Sequence, residues 1–191
     1  MQAFDSLSRD IQQYIYDKGW PSLTSIQNAA IKQVANTDHN LILSAPTASG
    51  KTEAAFIPAL NSVEDWDTGL KVLYISPLKA LINDQFQRIS ELSEYLDIPI
   101  TRWHGEVSQA QKRKVVNQPK GVLLITPESI EGMLVNRPGE AQHLFKGVEW
   151  IIIDELHSFL GTERGIHLQS LLQRISRFMQ APRFIAMSAT L

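Results

Sequence analysis

Four large apolar residues in a row, Trp150-Ile151-Ile152-Ile153, run directly into two carboxylates, Asp154-Glu155. A strand with one wet face alternates apolar and polar side chains, so a run with no polar position suits a strand buried on both faces. That points to a parallel sheet with helices on each side, the doubly wound α/β class. The rest of the chain supplies the parts. Strand candidates are Leu41–Ser44, Lys71–Ser76, Ile98–His104, Gly121–Thr126, Val148–Asp154 and Arg183–Ser188. Helical patterns at Glu53–Leu60, Lys79–Tyr95, Ser108–Val116 and Arg164–Met179 alternate with them. Ligands of such sheets sit beyond the carboxyl ends of the strands, so the loops after the strands are where chemistry should appear.

Ahead of the first strand, Leu7, Ile11, Tyr14 and Ile15 mark an amphipathic helix and Ile26 to Val34 a second one. Residues 1–38 therefore read as a helical preface and 39–191 as the sheet-bearing part, together one structural domain. Of the 191 residues, 43% are hydrophobic and 20% charged, which supports a full globular core rather than disorder. The net charge of −2 gives no overall basic field. Nucleic-acid binding would have to come from local patches or backbone amides. The absence of cysteine excludes disulfides, thiolate metal sites and cysteine nucleophiles. The N-terminus lacks a basic stretch followed by an apolar one, and no apolar run reaches the roughly eighteen residues of a membrane span. The expectation is a soluble cytoplasmic domain with no membrane partner. Because the sequence stops at Ala189-Thr190-Leu191, directly after an apolar strand, a fragment of a longer protein is also expected.

The segment Ala45-Pro46-Thr47-Ala48-Ser49-Gly50-Lys51-Thr52 follows an apolar strand and precedes a helix. It has the phosphate-loop pattern, with alanine in place of the first glycine. In such a loop successive backbone N–H groups and a helix N-terminus converge on a polyphosphate. Gly50 permits close backbone approach, Lys51 reaches the outer phosphates, and the Thr52 hydroxyl can ligate Mg²⁺. Asp154, at the end of the most apolar strand, is the second Mg²⁺ candidate, acting through water. Glu155 is the natural base to orient a water for attack on a γ-phosphate. An ordinary turn with a solvated lysine is the plain alternative for the loop, as surface charge is for the acidic pair.

Taken in order, APTASGKT, SPLKAL, TPES, DELH and SAT resemble the motif series of the first, RecA-like domain of superfamily 2 helicases, over nearly the whole chain. DELH, TPESIEGML and the run Glu163-Arg164-Gly165-Ile166-His167-Leu168 look most like the large helicase-related (Lhr-type) group. This resemblance implies a RecA-like P-loop fold, ATP with Mg²⁺, and a nucleic-acid-dependent ATPase that moves along a single strand. Gly19-Trp20-Pro21-Ser22-Leu23-Thr24-Ser25-Ile26-Gln27 resembles the Q-motif. By that likeness Gln27 would hydrogen-bond the adenine edge and Trp20 would pack near the base, although core packing serves Trp20 equally well. With Thr47, Ala48, Ser49, Gly50, Lys51 and Thr52 these form the expected nucleotide site.

The family places Pro77, Leu78 and Lys79, and likewise Thr126, Pro127 and Glu128, on the sugar–phosphate backbone of one strand, largely independently of sequence. Each group opens a helix, where ordinary capping is the competing explanation. Arg102 is a candidate for a third strand-end contact, with a poorer match to the family pattern, and a half-buried strand end is an equal alternative. His157, Ser188 and Thr190 would couple the phosphate site to strand movement. The backbone motifs are shared by DNA and RNA enzymes; likeness to the Lhr-type group points to single-stranded DNA. The family also implies a second RecA-like domain that brings arginines to the γ-phosphate. An ATP-controlled clamp that holds strands without moving along them is the rival function. A small-molecule kinase would leave SPLKAL, TPES and SAT without a purpose.

Overall fold

Strands with no wet face must be covered on both sides, and the computed structural model, which describes residues 2–190, shows how. Met1 and Leu191, the outer limits of the two expected segments, lie outside the described residues. The strands are β1 (Leu41–Ser44), β2 (Gly69–Ile75), β3 (Ile100–Trp103), β4 (Lys120–Ile125), β5 (Trp150–Ile153) and β6 (Arg183–Ser188). They form one sheet in the order β1-β6-β5-β2-β4-β3, with every pairing parallel. The helices are α1 (Arg9–Asp17), α2 (Ser25–Asn36), α3 (Lys51–Ser62), α4 (Lys79–Tyr95), α5 (Gln109–Asn117), α6 (Pro127–Asn136), α7 (Pro138–Phe145) and α8 (Glu163–Ser176).

Alternation along the strands sorts the core into two layers. Val72, Tyr74, Val122, Leu124, Trp150, Ile152 and Ile185 face a cluster that includes Ile11, Ile15, Ile31, Phe56, Ile82 and Ile89 from α1 to α4. Leu73, Ile75, Leu123, Ile125, Ile151 and Ile153 face the other way, against Ile130, Leu144, Phe145, Leu168, Leu171 and Ile175 of α6 to α8. The helical preface thus shares an apolar layer with the sheet. Register aligns the strand ends: Ile75 lies opposite both Ile125 and Ile153, and Ser44 opposite Ser188. The loops after β1, β2, β4, β5 and β6 therefore emerge along one edge.

The opposite edge is tied down separately. Arg183 donates to three carbonyls in the last turn of α2 and just beyond it, those of Val34 (3.3 Å), Thr37 (2.6 Å) and His39 (3.2 Å), and its guanidinium lies 4.4 Å from the Trp150 ring centroid. Lys71 and Glu149 pair at 2.9 Å at the starts of β2 and β5. At Gly121, φ is +68° and an added Cβ would fall 1.9 Å from the Pro99 carbonyl oxygen, so only glycine fits there.

Several element ends shift from the sequence expectation by one to three residues, and two differences have local reasons. β3 is shorter than Ile98–His104: Asp97 takes a φ of +53° and the Ile98 amide returns to the Ser93 carbonyl at 2.8 Å, closing α4, while His104 already belongs to a turn. Pro138 opens α7, a separate helix that periodicity alone does not announce.

Candidate nucleotide and strand-binding site

The loop after β1 has the backbone of an anion cradle. Ala48 (φ +61°) and Gly50 (φ +81°) adopt left-handed conformations, which turn successive amides inward. For alanine that conformation is strained, as is often found where a loop is shaped for a ligand. Gly50 is the N-cap of α3 and leaves that end without a side-chain cap, so its first amides stay available. Thr47 and Ala48 are exposed, and the hydroxyl of Ser49 is buried with no partner. Lys51 folds back on its own loop, donating to the carbonyls of Ala45 and Pro46, the latter at 2.7 Å. Thr52 is buried, its hydroxyl donating to Gln85 Oε1 at 3.1 Å.

Gln27 is 4% exposed and joins α2 to this loop. Its Oε1 accepts from the Thr24 amide at 2.9 Å in a capping box, and its Nε2 donates to the Gly50 carbonyl at 3.4 Å. An amide side chain has two donors and two lone pairs, so one of each remains for a ligand. An added Cβ at Gly50 would come within 2.6 Å of Gln27 Nε2 and would have to displace that amide from the loop. Trp20, by contrast, stands edge-on to Tyr14 at 6.2 Å and packs with the apolar layer of the preface. This is the core-packing alternative.

β5 delivers Asp154 at 6% exposure. Burial raises its carboxyl above the ordinary range; the Tyr74 hydroxyl, which donates to Oδ2, pulls the other way, and the Glu155 charge raises it again. The same burial, with the Asp154 charge, holds the Tyr74 phenol well above its usual value. Glu155 (φ +49°) turns the chain sharply, and its carboxylate lies 3.2 Å from His157 Nε2. His157 Nδ1 is in turn 3.2 Å from Ser188 Oγ, and the Ser188 hydroxyl donates to the Thr190 carbonyl. The three expected coupling residues are thus brought together with Glu155. Thr190 takes part through its carbonyl rather than its hydroxyl.

A second feature of this edge is an open groove lined by Pro77, Leu78, Lys79, His104, Gly105, Thr126, Glu128, Ser129 and Arg164. Leu78 leaves the α4 N-terminus without a side-chain cap, whereas the Thr126 hydroxyl accepts from the Ser129 amide at 3.3 Å and caps α6. Pro127 sits in the first turn of α6, where its missing N–H costs nothing. Lys79 pairs with Glu106, and Glu128 with Arg164 at 2.7 Å. Arg102 is not in the groove. It donates to Asn83 Oδ1 at 2.8 Å and lies 5.0 Å from the Phe86 ring centroid, so His104 and Gly105 take the place expected for it. Side chains within a strand point alternately to opposite faces, which is why a strand-end position is hard to assign from sequence.

Sequence reasoning left Tyr74, Gln85 and Asn83 without roles. Tyr74 carried a signal: a phenol inside an otherwise apolar strand needs a buried partner. Gln85 and Asn83 sit among other polar residues of α4, and no local pattern singles them out.

Fold, motif order and edge geometry together define a RecA-like helicase domain of superfamily 2. A model of the DEAD/DEAH box helicase family matches residues 24–191, and the chain belongs to that family. Its likeness is of the Lhr type. The ATP-dependent helicase Lhr-Core of Methanocaldococcus jannaschii is 29% identical over 208 aligned positions, covering 100% of this chain and 24% of that protein. The Lhr helicase/uracil glycosylase of Escherichia coli K12 is 34% identical over 192 positions, covering 87% and 12%. The structure of Mycobacterium smegmatis helicase Lhr bound to ssDNA and AMP-PNP superimposes with a TM-score of 0.88 at 28% identity, covering 100% of this chain and 26% of that one. The chain spans about a quarter or less of the length of these relatives. Among the described residues, no helix is long and apolar enough to cross a membrane.

Proposed function

We propose that this chain is the ATP-binding motor domain of a nucleic-acid-dependent ATPase that couples hydrolysis to movement along single-stranded DNA. The observation that carries the reading is the chain of contacts from Glu155 through His157 to Ser188, which joins the would-be catalytic base to the loop after β6 on the edge that also holds the groove. Lys51 and the amides of Thr47 to Thr52 would hold the phosphates, and Gln27 would offer its spare donor and acceptor to adenine. Glu155 would orient the attacking water.

The residues also fit Mg²⁺. Asp154 is a desolvated carboxylate with no ion pair among the described residues, a condition that a cation relieves, and Thr52 supplies a buried hydroxyl. No cluster of three or more acidic or histidine side chains could hold a metal among the described residues. The ion would therefore take its other ligands from phosphate oxygens and water, as Mg²⁺ prefers. It would neutralise charge on the transferring phosphoryl group.

The M. smegmatis Lhr complex with ssDNA supports DNA as the strand. Pro77, Leu78 and Lys79 would take it at one helix end, and Thr126 and Pro127 at the other. A second RecA-like domain would complete the site, and arginines supplied from outside raise related rates by about 10³–10⁵. The chain alone should accordingly bind nucleotide and turn it over slowly. The test is steady-state Mg-ATP hydrolysis and nucleotide binding, with and without single-stranded DNA or RNA, with Lys51→Ala as the blank. Binding lost in Lys51→Ala, with little turnover in the wild-type chain, is the expected result. Brisk turnover abolished by Lys51→Ala would show that outside arginines are dispensable. Failure to bind nucleotide would overturn the assignment.

A further inference from the structure

Arg164 lies in the run that carries the Lhr likeness, where the resemblance gives it no contact. Yet its Nη2 donates both to the Pro77 carbonyl at 2.8 Å and to Glu128 Oε1 at 2.7 Å. Pro77 leads into α4 and Glu128 lies in the first turn of α6, so one nitrogen bridges the two helix ends that line the groove. The guanidinium also stands 5.6 Å from the ring centroid of Phe159, which is buried. Gly165 sets how closely α8 approaches that residue, since an added Cβ would fall 1.9 Å from the Phe159 carbonyl oxygen. Only residues 156–163 separate Arg164 from Glu155.

We infer that Arg164 is a positioning residue that holds the two strand-binding helix ends in register and ties them to the loop carrying Glu155. The inference rests on the strand-binding reading of the groove. It also accounts for Glu128. A lone carboxylate beside a phosphate backbone repels it, whereas paired with Arg164 its charge is neutralised within the protein. Both Nη2 hydrogens of Arg164 are committed to protein acceptors and its charge is balanced by Glu128, so the pair presents no net charge to a strand.

A direct phosphate contact by Arg164 makes opposite predictions, which allows a clean test. Binding of fluorescent dT and rU decamers to the 191-residue chain is measured by anisotropy across a salt series, in the presence of Mg-AMP-PNP. Positioning predicts that Arg164→Ala weakens binding roughly tenfold, the scale of a lost charge-assisted hydrogen bond. Glu128→Ala should weaken it to a similar degree, the double variant no further, and the slope of log affinity against log salt should stay unchanged. If Arg164 instead held a phosphate, Glu128→Ala would free it and tighten binding, and Arg164→Ala would lower the slope by about 0.7. That result, or wild-type affinity in both single variants, overturns the inference. Because Glu128 is exposed, Glu128→Ala remains informative should Arg164→Ala fail to fold. A wild-type chain that binds neither decamer overturns the strand-binding reading itself, and the inference falls with it.

Discussion

Replacing a helical glycine by alanine should have opposite signs at two positions of this chain. At Gly132, inside α6, an added Cβ meets nothing within 4 Å, so intrinsic propensity decides, and Gly132→Ala should stabilise by up to about 1 kcal/mol. At Gly165, in the first turn of α8, propensity offers the same gain, but the new Cβ would sit 1.9 Å from the Phe159 carbonyl oxygen. Real Cβ contacts essentially never fall below 3.0 Å, so the helix start must open by about 1.1 Å. The carbonyl cannot retreat alone, because it accepts from the Thr162 hydroxyl at 2.9 Å. The opening also pulls the Gly165 amide from its cap on Thr162 Oγ1, now 3.1 Å away. Overpacking of this kind costs about 1–3 kcal/mol, and loss of a cap about 1 kcal/mol more. The propensity gain is smaller than their sum, and a net loss of about 1–3 kcal/mol is expected. Urea denaturation followed by circular dichroism, with unchanged m-values, reads both variants on one scale. Stabilisation of Gly165→Ala comparable to that of Gly132→Ala would refute the argument that close approach fixes this residue.

Tyr74→Phe removes the hydrogen bond that opposes the upward push of burial on Asp154, so protonation should begin at higher pH. Mg²⁺-dependent nucleotide binding should then lose its acid side at higher pH than in the wild type, and an unshifted profile would count against Asp154 as an ion-holding group. Glu131 is lowered from 4.5 to about 2 by its hydrogen bonds to Arg174 and then His167. A depressed folded-state value means stability that is full above pH 4.5 and is lost as pH falls towards about 2. Glu131→Gln should flatten urea midpoints over that window; a curve parallel to wild type would contradict the linkage. Arg183→Met deletes three bonds to the carbonyls of Val34, Thr37 and His39 and the stack on Trp150, while relieving a buried Nε that has no partner. A net loss of about 2 kcal/mol is expected in thermal melts, and melting at the wild-type temperature would show the clamp to be idle.

What sequence conveys here follows from how locally each feature is encoded. The run Trp150–Ile153 announces a doubly covered strand, and the carboxylates after it fall on the chemical edge. The phosphate loop is equally local, its conformation set by residues adjacent in the chain, and even the strained φ of Ala48 occurs within the motif. Contacts between distant elements are another matter. That the Tyr74 hydroxyl meets Asp154 depends on β2 and β5 being neighbours, an order that hydrophobic periodicity does not specify. Whether Arg102 faces the groove depends on strand alternation and on Asn83 of α4, which hold it outside, and its place at a strand end does not decide this. Arg164 reaches Pro77 across the sheet edge, and no spacing rule connects them.

The concentration of ligand-facing loops at one edge has a practical side for engineering. Arg183 with the end of α2, the Lys71–Glu149 pair and the Gly121–Pro99 approach all lie at or towards the other end of the strands. Heat tolerance could thus be raised by redesigning that end, with Gln27, Lys51, Asp154 and the groove left as they are. The usual trade of activity for stability should be milder here than in folds whose stabilising contacts and reactive groups share the same loops.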